Sequence, residues 1–176
     1  MAIKYTITIS LVFLLTFGLS ACGDSSWETI KPQGTKTSFE LPKPVGHPPR
    51  DGYEMYEAKT GNGDNKIQIG IFQRKNNLTD VIPEGTPDAD ALQLFEKHSL
   101  EQLETNLLKD GLSHRLVFDK DLGVENGLGQ QYKLIVSDKF TLNQFYLTPE
   151  QLLWVKIDNS DESDPVVARF LESLVP

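Results

Sequence analysis

The sequence predicts an α+β domain in which an antiparallel β-sheet is flanked by helices. Three observations predict it. The last third of the chain is a succession of short strand-like runs joined by connections as brief as DK and TPEQ, which forces antiparallel neighbours. Two stretches, one starting at Thr86 and one at Asp164, carry apolar residues at helical spacing behind acidic starts. The last strand-like run, residues 152–159, has Leu153, Val155 and Ile157 on one face and Leu152 and Trp154 on the other. A sheet apolar on both sides needs a helical layer on each.

The elements follow in order. Residues 1–5 hold one positive charge, Lys4, and lead into the uncharged apolar run 6–19. That is the layout of an export signal. The charge-free span 5–23 is barely long enough to cross a bilayer, which takes about 20 apolar residues, so an uncleaved anchor is the second reading. Leu19-Ser20-Ala21-Cys22 closes the run and resembles the lipobox of bacterial lipoproteins: a branched aliphatic, two small residues, then a cysteine. The small side chains suit a signal peptidase, and the thiol is the atom that accepts diacylglycerol. The resemblance implies cleavage before Cys22, a thioether-linked lipid and an amino terminus acylated by a chain such as palmitate. Two or more acyl chains make membrane residence durable, where one gives only marginal binding. Cys22 is the only cysteine, so its use as lipid carrier removes disulfides, thiolate nucleophiles and cysteine metal ligands from the mature chain.

Residues 22–36 are therefore expected to be a lipidated start and a polar, Gly- and Pro-interrupted tether with a root-mean-square span of roughly 20 Å. Trp27 within it docks on the domain, lies at the membrane interface, or stands alone and exposed. Residues 37–176 form one domain, large enough to bury roughly two-thirds of its unfolded surface.

In that domain TSFELP, residues 37–42, reads as a first strand stopped by proline, and the proline-rich 43–52 as irregular. Residues 53–59 and 67–72 form a hairpin over the turn TGNGDN. The isoleucines at 67, 69 and 71 make its second strand central. Thr86 is placed to cap the main helix, Pro87 to occupy its first position, and Asp88 and Asp90 to meet the positive end of its dipole. Leu92, Phe95, Leu103 and Leu107 give it a buried face, Asp110-Gly111 a stop, and Ser99 with Gln102 a second capping box that predicts a break near His98. Residues 113–118, 131–137, 140–147 and 152–159 form a β-meander. The closing helix packs through Val166, Val167, Phe170, Leu171 and Leu174.

This order resembles the PsbP-like fold, an α/β/α sandwich, on pieces such as Ser38-Phe39-Glu40-Leu41-Pro42 and Phe170-Leu171-Glu172-Ser173-Leu174. With lipobox and tether included, the layout looks like the small DcrB-type lipoproteins of bacterial envelopes. The resemblance implies a non-catalytic role exercised through protein contacts at a membrane. The proline-rich insertion 43–52 departs from the simplest version, and no functional residue of the family maps here by motif. Gly23, not aspartate, follows Cys22; by the sorting rule of enteric lipoproteins this favours the outer membrane, facing the periplasm, where the host has two membranes.

Composition and motifs narrow the chemistry. With 17 Lys and Arg against 25 Asp and Glu the net charge is −8, which repels phosphate backbones, so nucleic acid is not an expected partner. His47, His98 and His114 have no ligand-type spacing, and no metal is expected. The acidic run 158–164 has Ser163 and Arg169 where a calcium loop needs glycine and glutamate. Gly127-Leu128-Gly129 leads into a strand, whereas a dinucleotide loop must open a helix. No catalytic or cofactor motif stands out. The expected function is a tethered interaction or assembly module whose partner is another envelope protein. The alternative is a carrier of a small apolar ligand, held in an enclosed cavity between sheet and helices.

Overall fold

A computed structural model describes residues 26–60, 65–74, 80–137, 139–158 and 164–176. The expected export signal and lipobox, and residues 61–64 and 159–163, lie outside the described residues. The elements are β1 (Trp27–Ile30), β2 (Phe39–Pro42), β3 (Glu54–Thr60), β4 (Asn65–Gln73), α1 (Asp88–Lys109), β5 (His114–Asp121), β6 (Leu128–Val136), β7 (Lys139–Leu147), β8 (Gln151–Asp158) and α2 (Pro165–Ser173).

Six strands form one antiparallel sheet in the order β3-β4-β8-β7-β6-β5, and β1 pairs with β2 in a separate two-stranded ribbon. The hairpin β3–β4 and the meander β5 to β8 are joined where β4 pairs with β8, so β4 is central as its isoleucines predict. Strand periodicity then divides the core into two layers. On one face Ile67, Ile69, Ile71, Leu153, Val155 and Ile157 meet Phe39 and Leu41 of β2 and Val167 and Phe170 of α2. On the other, Phe145, Leu147 and Leu152 meet Ala91, Leu92, Phe95 and Leu100 of α1. The architecture is the α+β sandwich that the two apolar faces of β8 require.

The segment read as a tether contributes structure. Trp27 to Ile30 pair with Pro42 to Phe39, Lys43 N–H donates to the Ser26 carbonyl at 2.8 Å, and Arg169 of α2 stands 4.2 Å over the Trp27 ring. The reason is local: Trp27 and Ile30 pack against the α2-side core, and pairing satisfies the backbone of β2's free edge. Trp27 thus docks on the domain. Trp27→Ala is expected to lower unfolding free energy by about 1–2 kcal/mol, from lost cation–π and apolar contact. Urea denaturation measures it, and amide exchange in β1 should rise more than in β4.

Two helix-end expectations are corrected. The Thr86 hydroxyl donates to the Pro83 carbonyl at 2.6 Å and caps nothing; Pro87 holds the N-cap position without a side-chain cap. The helix α1 also runs unbroken through His98, because Phe95 and Leu100 on either side are both buried against the sheet and hold the chain helical. Its stop at Asp110-Gly111 is as expected, with Gly111 at φ +69°. For α2, Asp164 accepts a hydrogen bond from the Val166 amide at 2.8 Å.

The proline-rich 43–52 serves the exposed side of β3. Gly46 and Glu57 exchange backbone hydrogen bonds of 2.7 and 2.9 Å, and His47 stacks on Tyr56. That cover blunts one sheet edge. At the other edge β5 has an irregular register between Phe118 and Lys120.

Candidate functional site

That irregularity shapes the most distinctive polar feature of the molecule. Phe118 pairs with Tyr132, yet Lys120 pairs with Gln131 and Asp121 with Gln130. The extra residue brings Asp121 onto the same face as Gln130 and Tyr132, the face covered by α1. Behind it the loop 122–127 lies flush on the sheet. A side chain at Gly127 would stand 2.4 Å from the Leu147 carbonyl oxygen, and one at Gly129 would press on Leu122, Val124 and Tyr146 at 3.0 Å. The Gly-x-Gly run is thus explained by close backbone approach, with no phosphate loop.

Between this loop, β6 and the first half of α1 lies an open cleft of about 420 Å³. It carries three carboxyl groups, Asp90, Glu96 and Asp121, and no Lys or Arg among its lining residues. Glu96 is the unusual one. It sits on the sheet-facing side of α1, only 3% exposed. Its Oε2 accepts from the Tyr132 hydroxyl at 3.1 Å, while Oε1 is buried without a hydrogen-bond partner among the described residues. Burial is the main cause that pushes the Glu96 carboxyl up to about 7; the Tyr132 hydrogen bond opposes this and the charge of Asp121 adds to it. Burial and the Glu96 charge push Tyr132 up to about 12.

The hydrogen-bond chain continues outward. Tyr132 Oη lies 3.2 Å from Gln130 Oε1, and Gln130 Nε2 donates to Asp121 Oδ1 at 3.1 Å. The tyrosine has one proton and two acceptors. With Glu96 protonated, each link has its own donor: Glu96 to Tyr132, Tyr132 to Gln130, Gln130 to Asp121. With Glu96 ionised, the tyrosine must turn to it and leave Gln130. The opposite face of the same strands shows what a completed network looks like. There Lys133 and Gln131 both donate to Asp119, Gln144 donates to Gln131 and Tyr146 to Gln144. The hydrogen bonds from Lys133 and Gln131 hold the Asp119 carboxyl below its ordinary range.

A second cleft, of about 390 Å³, flanks α1 on its other side, where Tyr53 stacks on Phe72 beside Phe95 and Trp154. It too is open to solvent. Neither cleft is the enclosed apolar cavity that a carrier of small apolar ligands requires.

The three histidines stay apart: His47 lies on Tyr56, His98 contacts Gln102 on α1, and His114 of β5 lies 3.3 Å from Glu104 of α1. Among the described residues no group of three or more His, Asp or Glu could hold a metal ion. The predicted attachment residue Cys22 and its recognition residues Leu19, Ser20 and Ala21 lie outside the described residues. Glu96 went unnoticed in the sequence because carboxylates are so common there. Its signal was positional: it follows Phe95 and stands four residues after Leu92, on the apolar stripe of α1.

No family model matches the chain, and no curated protein matches it. Among solved structures it is similar to the solution structure of cyanobacterial PsbP (CyanoP) from Synechocystis sp., with a TM-score of 0.54 and 12% identity over 89% of this chain and 97% of that one. It also matches a protein of unknown function from Pseudomonas aeruginosa described as a putative regulator, with a TM-score of 0.40 and 13% identity over 85% of this chain and 96% of that one. The first likeness shows that the fold is PsbP-like.

Proposed function

We propose that the chain is a lipid-anchored, non-catalytic module of a bacterial envelope, which works by binding another envelope protein through the α1 side of its sandwich. The observation that carries the reading is Leu19-Ser20-Ala21-Cys22 at the end of an uncharged apolar run. Lipid on Cys22 holds the domain at the outer membrane, facing the periplasm, where the host has two membranes.

The docked β1 adds an orientation. Ser26 is already bound to the domain through its carbonyl, and Cys22 precedes it by four residues, so the free reach is at most about 14 Å. A domain of this size has a radius of gyration of about 15 Å. The anchor thus cannot pass round the domain, and the β1–β2 and α2 side is kept next to the headgroups. The α1 side, with the carboxylate cleft, is turned outward to a partner.

The test is the mass of the N-terminal peptide of the protein purified from membranes. The expected result is a chain beginning at Cys22 and carrying diacylglycerol and an acyl chain, with Cys22→Ser keeping residues 1–21 and no lipid. An unmodified Cys22 thiol on a chain that still begins at Met1 would overturn the reading. Photo-cross-linkers in intact cells test the orientation: one at Leu128 should capture protein, and one at Glu28 should capture lipid.

A further inference from the structure

The geometry points to the cleft between α1 and the β5–β6 end as a binding site for an alkylammonium group, delivered by a lysine side chain of the partner protein. Asp90, Glu96 and Asp121 supply its negative wall, and Leu92, Leu122 and Leu128 an apolar wall for the methylene stem. The inference deepens the interaction role proposed above and rests on it for the source of the lysine.

Three features select this ligand. The lining has three carboxyl groups and no basic residue, so a cation entering it meets attraction with no internal competitor. The Glu96 carboxyl is almost wholly buried and its Oε1 lacks a donor among the described residues; a buried carboxyl oxygen left without a donor is costly, and an incoming N–H removes that cost. The Tyr132 hydroxyl already occupies Oε2. One free oxygen suits the compact, freely rotating donors of an ammonium, where a guanidinium calls for both oxygens of one carboxylate. A metal ion is disfavoured for another reason, that the described carboxylates do not converge closely enough to hold one.

The cleft admits the group as a side chain. Its volume, about 420 Å³, lies in the lower range of small-molecule sites, and Leu128 at its rim is partly exposed. A lysine stem laid along the leucines would cover that apolar surface while its head reaches the carboxyl groups.

The experiment is calorimetric titration of the full chain, purified in a non-ionic detergent, with three probes: the capped tripeptide Gly-Lys-Gly, its norleucine counterpart, and 1,5-diaminopentane. The lysine peptide should bind saturably and the norleucine peptide at least tenfold more weakly. Glu96→Gln should weaken lysine-peptide binding tenfold or more, Asp121→Asn by a smaller factor, and Glu101→Gln, on the exposed face of α1, not at all. Denaturation curves establish that each variant is folded; should Glu96→Gln fail to fold, Asp121→Asn against Glu101→Gln decides. Equal binding of the norleucine peptide, or binding unchanged in the folded cleft variants, overturns the site. Binding of the diamine without the lysine peptide overturns the partner-protein source and assigns the cleft to a free amine. Loss of the site with Cys22 acylated leaves the anchor reading intact, and an unmodified Cys22 with the site present leaves the cleft intact.

Discussion

Replacing Phe145 with alanine is expected to cost about 3–5 kcal/mol of unfolding free energy. Phe145 is 0% exposed in the C-terminal half of β7. Its ring meets Phe95 of α1 at 5.9 Å and Tyr132 of β6 at 6.0 Å, both edge to face. Phe95 in turn meets Phe72, and Tyr132 meets Phe118, so the ring joins β4, α1, β7, β6 and β5. Deleting it removes the transfer energy of a large side chain and leaves a cavity that a rigid sheet cannot close. A domain of this size has some 5–15 kcal/mol in total, so the variant should lie near its folding threshold at 37 °C. Phe118→Ala is the internal control: it ends the same ring series but is 50% exposed, and should cost about 1 kcal/mol. Urea denaturation of both proteins measures the contrast. Equal losses would mean that α1 does not depend on the aromatic column.

The two-layered core was legible because strand periodicity reports which way each side chain points. Leu153, Val155 and Ile157 against Leu152 and Trp154 dictate two covered faces, and α2 with β2 and α1 supply them. The ribbon β1 was not legible. Four residues, Trp27 to Ile30, between Gly- and Pro-containing segments have no period to read; they become a strand only because β2 offers an edge and Arg169 a cation for the indole. The Ser99–Gln102 capping signal misled for the converse reason, since a local preference of about 1 kcal/mol yields to helix packing on both sides of it. The cleft depends on a bulge, a loop laid against two glycines and one carboxyl group on an apolar stripe. Of these only the last has a sequence signature, and it is a single residue.

Glu96→Gln should remove a pH dependence that the wild type shows. The sign follows from the two states. The carboxyl titrates near 4.5 when unfolded and near 7 when folded. Below pH 4.5 it is neutral in both states and imposes no penalty. Between pH 4.5 and 7 the unfolded chain ionises while the folded chain keeps its proton, so stability falls as pH rises. Above pH 7 both are ionised and the loss is complete, on the order of 3 kcal/mol for a shift of this size. Asp119, held low by Lys133 and Gln131, acts in the opposite sense and only at acid pH, outside this window. The hydroxyl of Tyr132, pushed up to about 12, keeps its proton across it. The hydrogen-bond chain gives the same answer independently: its three links, Glu96 to Tyr132, Tyr132 to Gln130 and Gln130 to Asp121, each have a donor only when Glu96 holds a proton. Urea denaturation of both proteins at pH 5 and pH 8 isolates the effect, because general charge repulsion is common to the pair. The wild type should lose markedly more stability between the two pH values than Glu96→Gln, and the variant should be the more stable protein at pH 8. Parallel pH profiles would show that the Glu96 carboxyl is solvated in solution, and the cleft would then lose the buried carboxyl group on which its affinity for a cation depends.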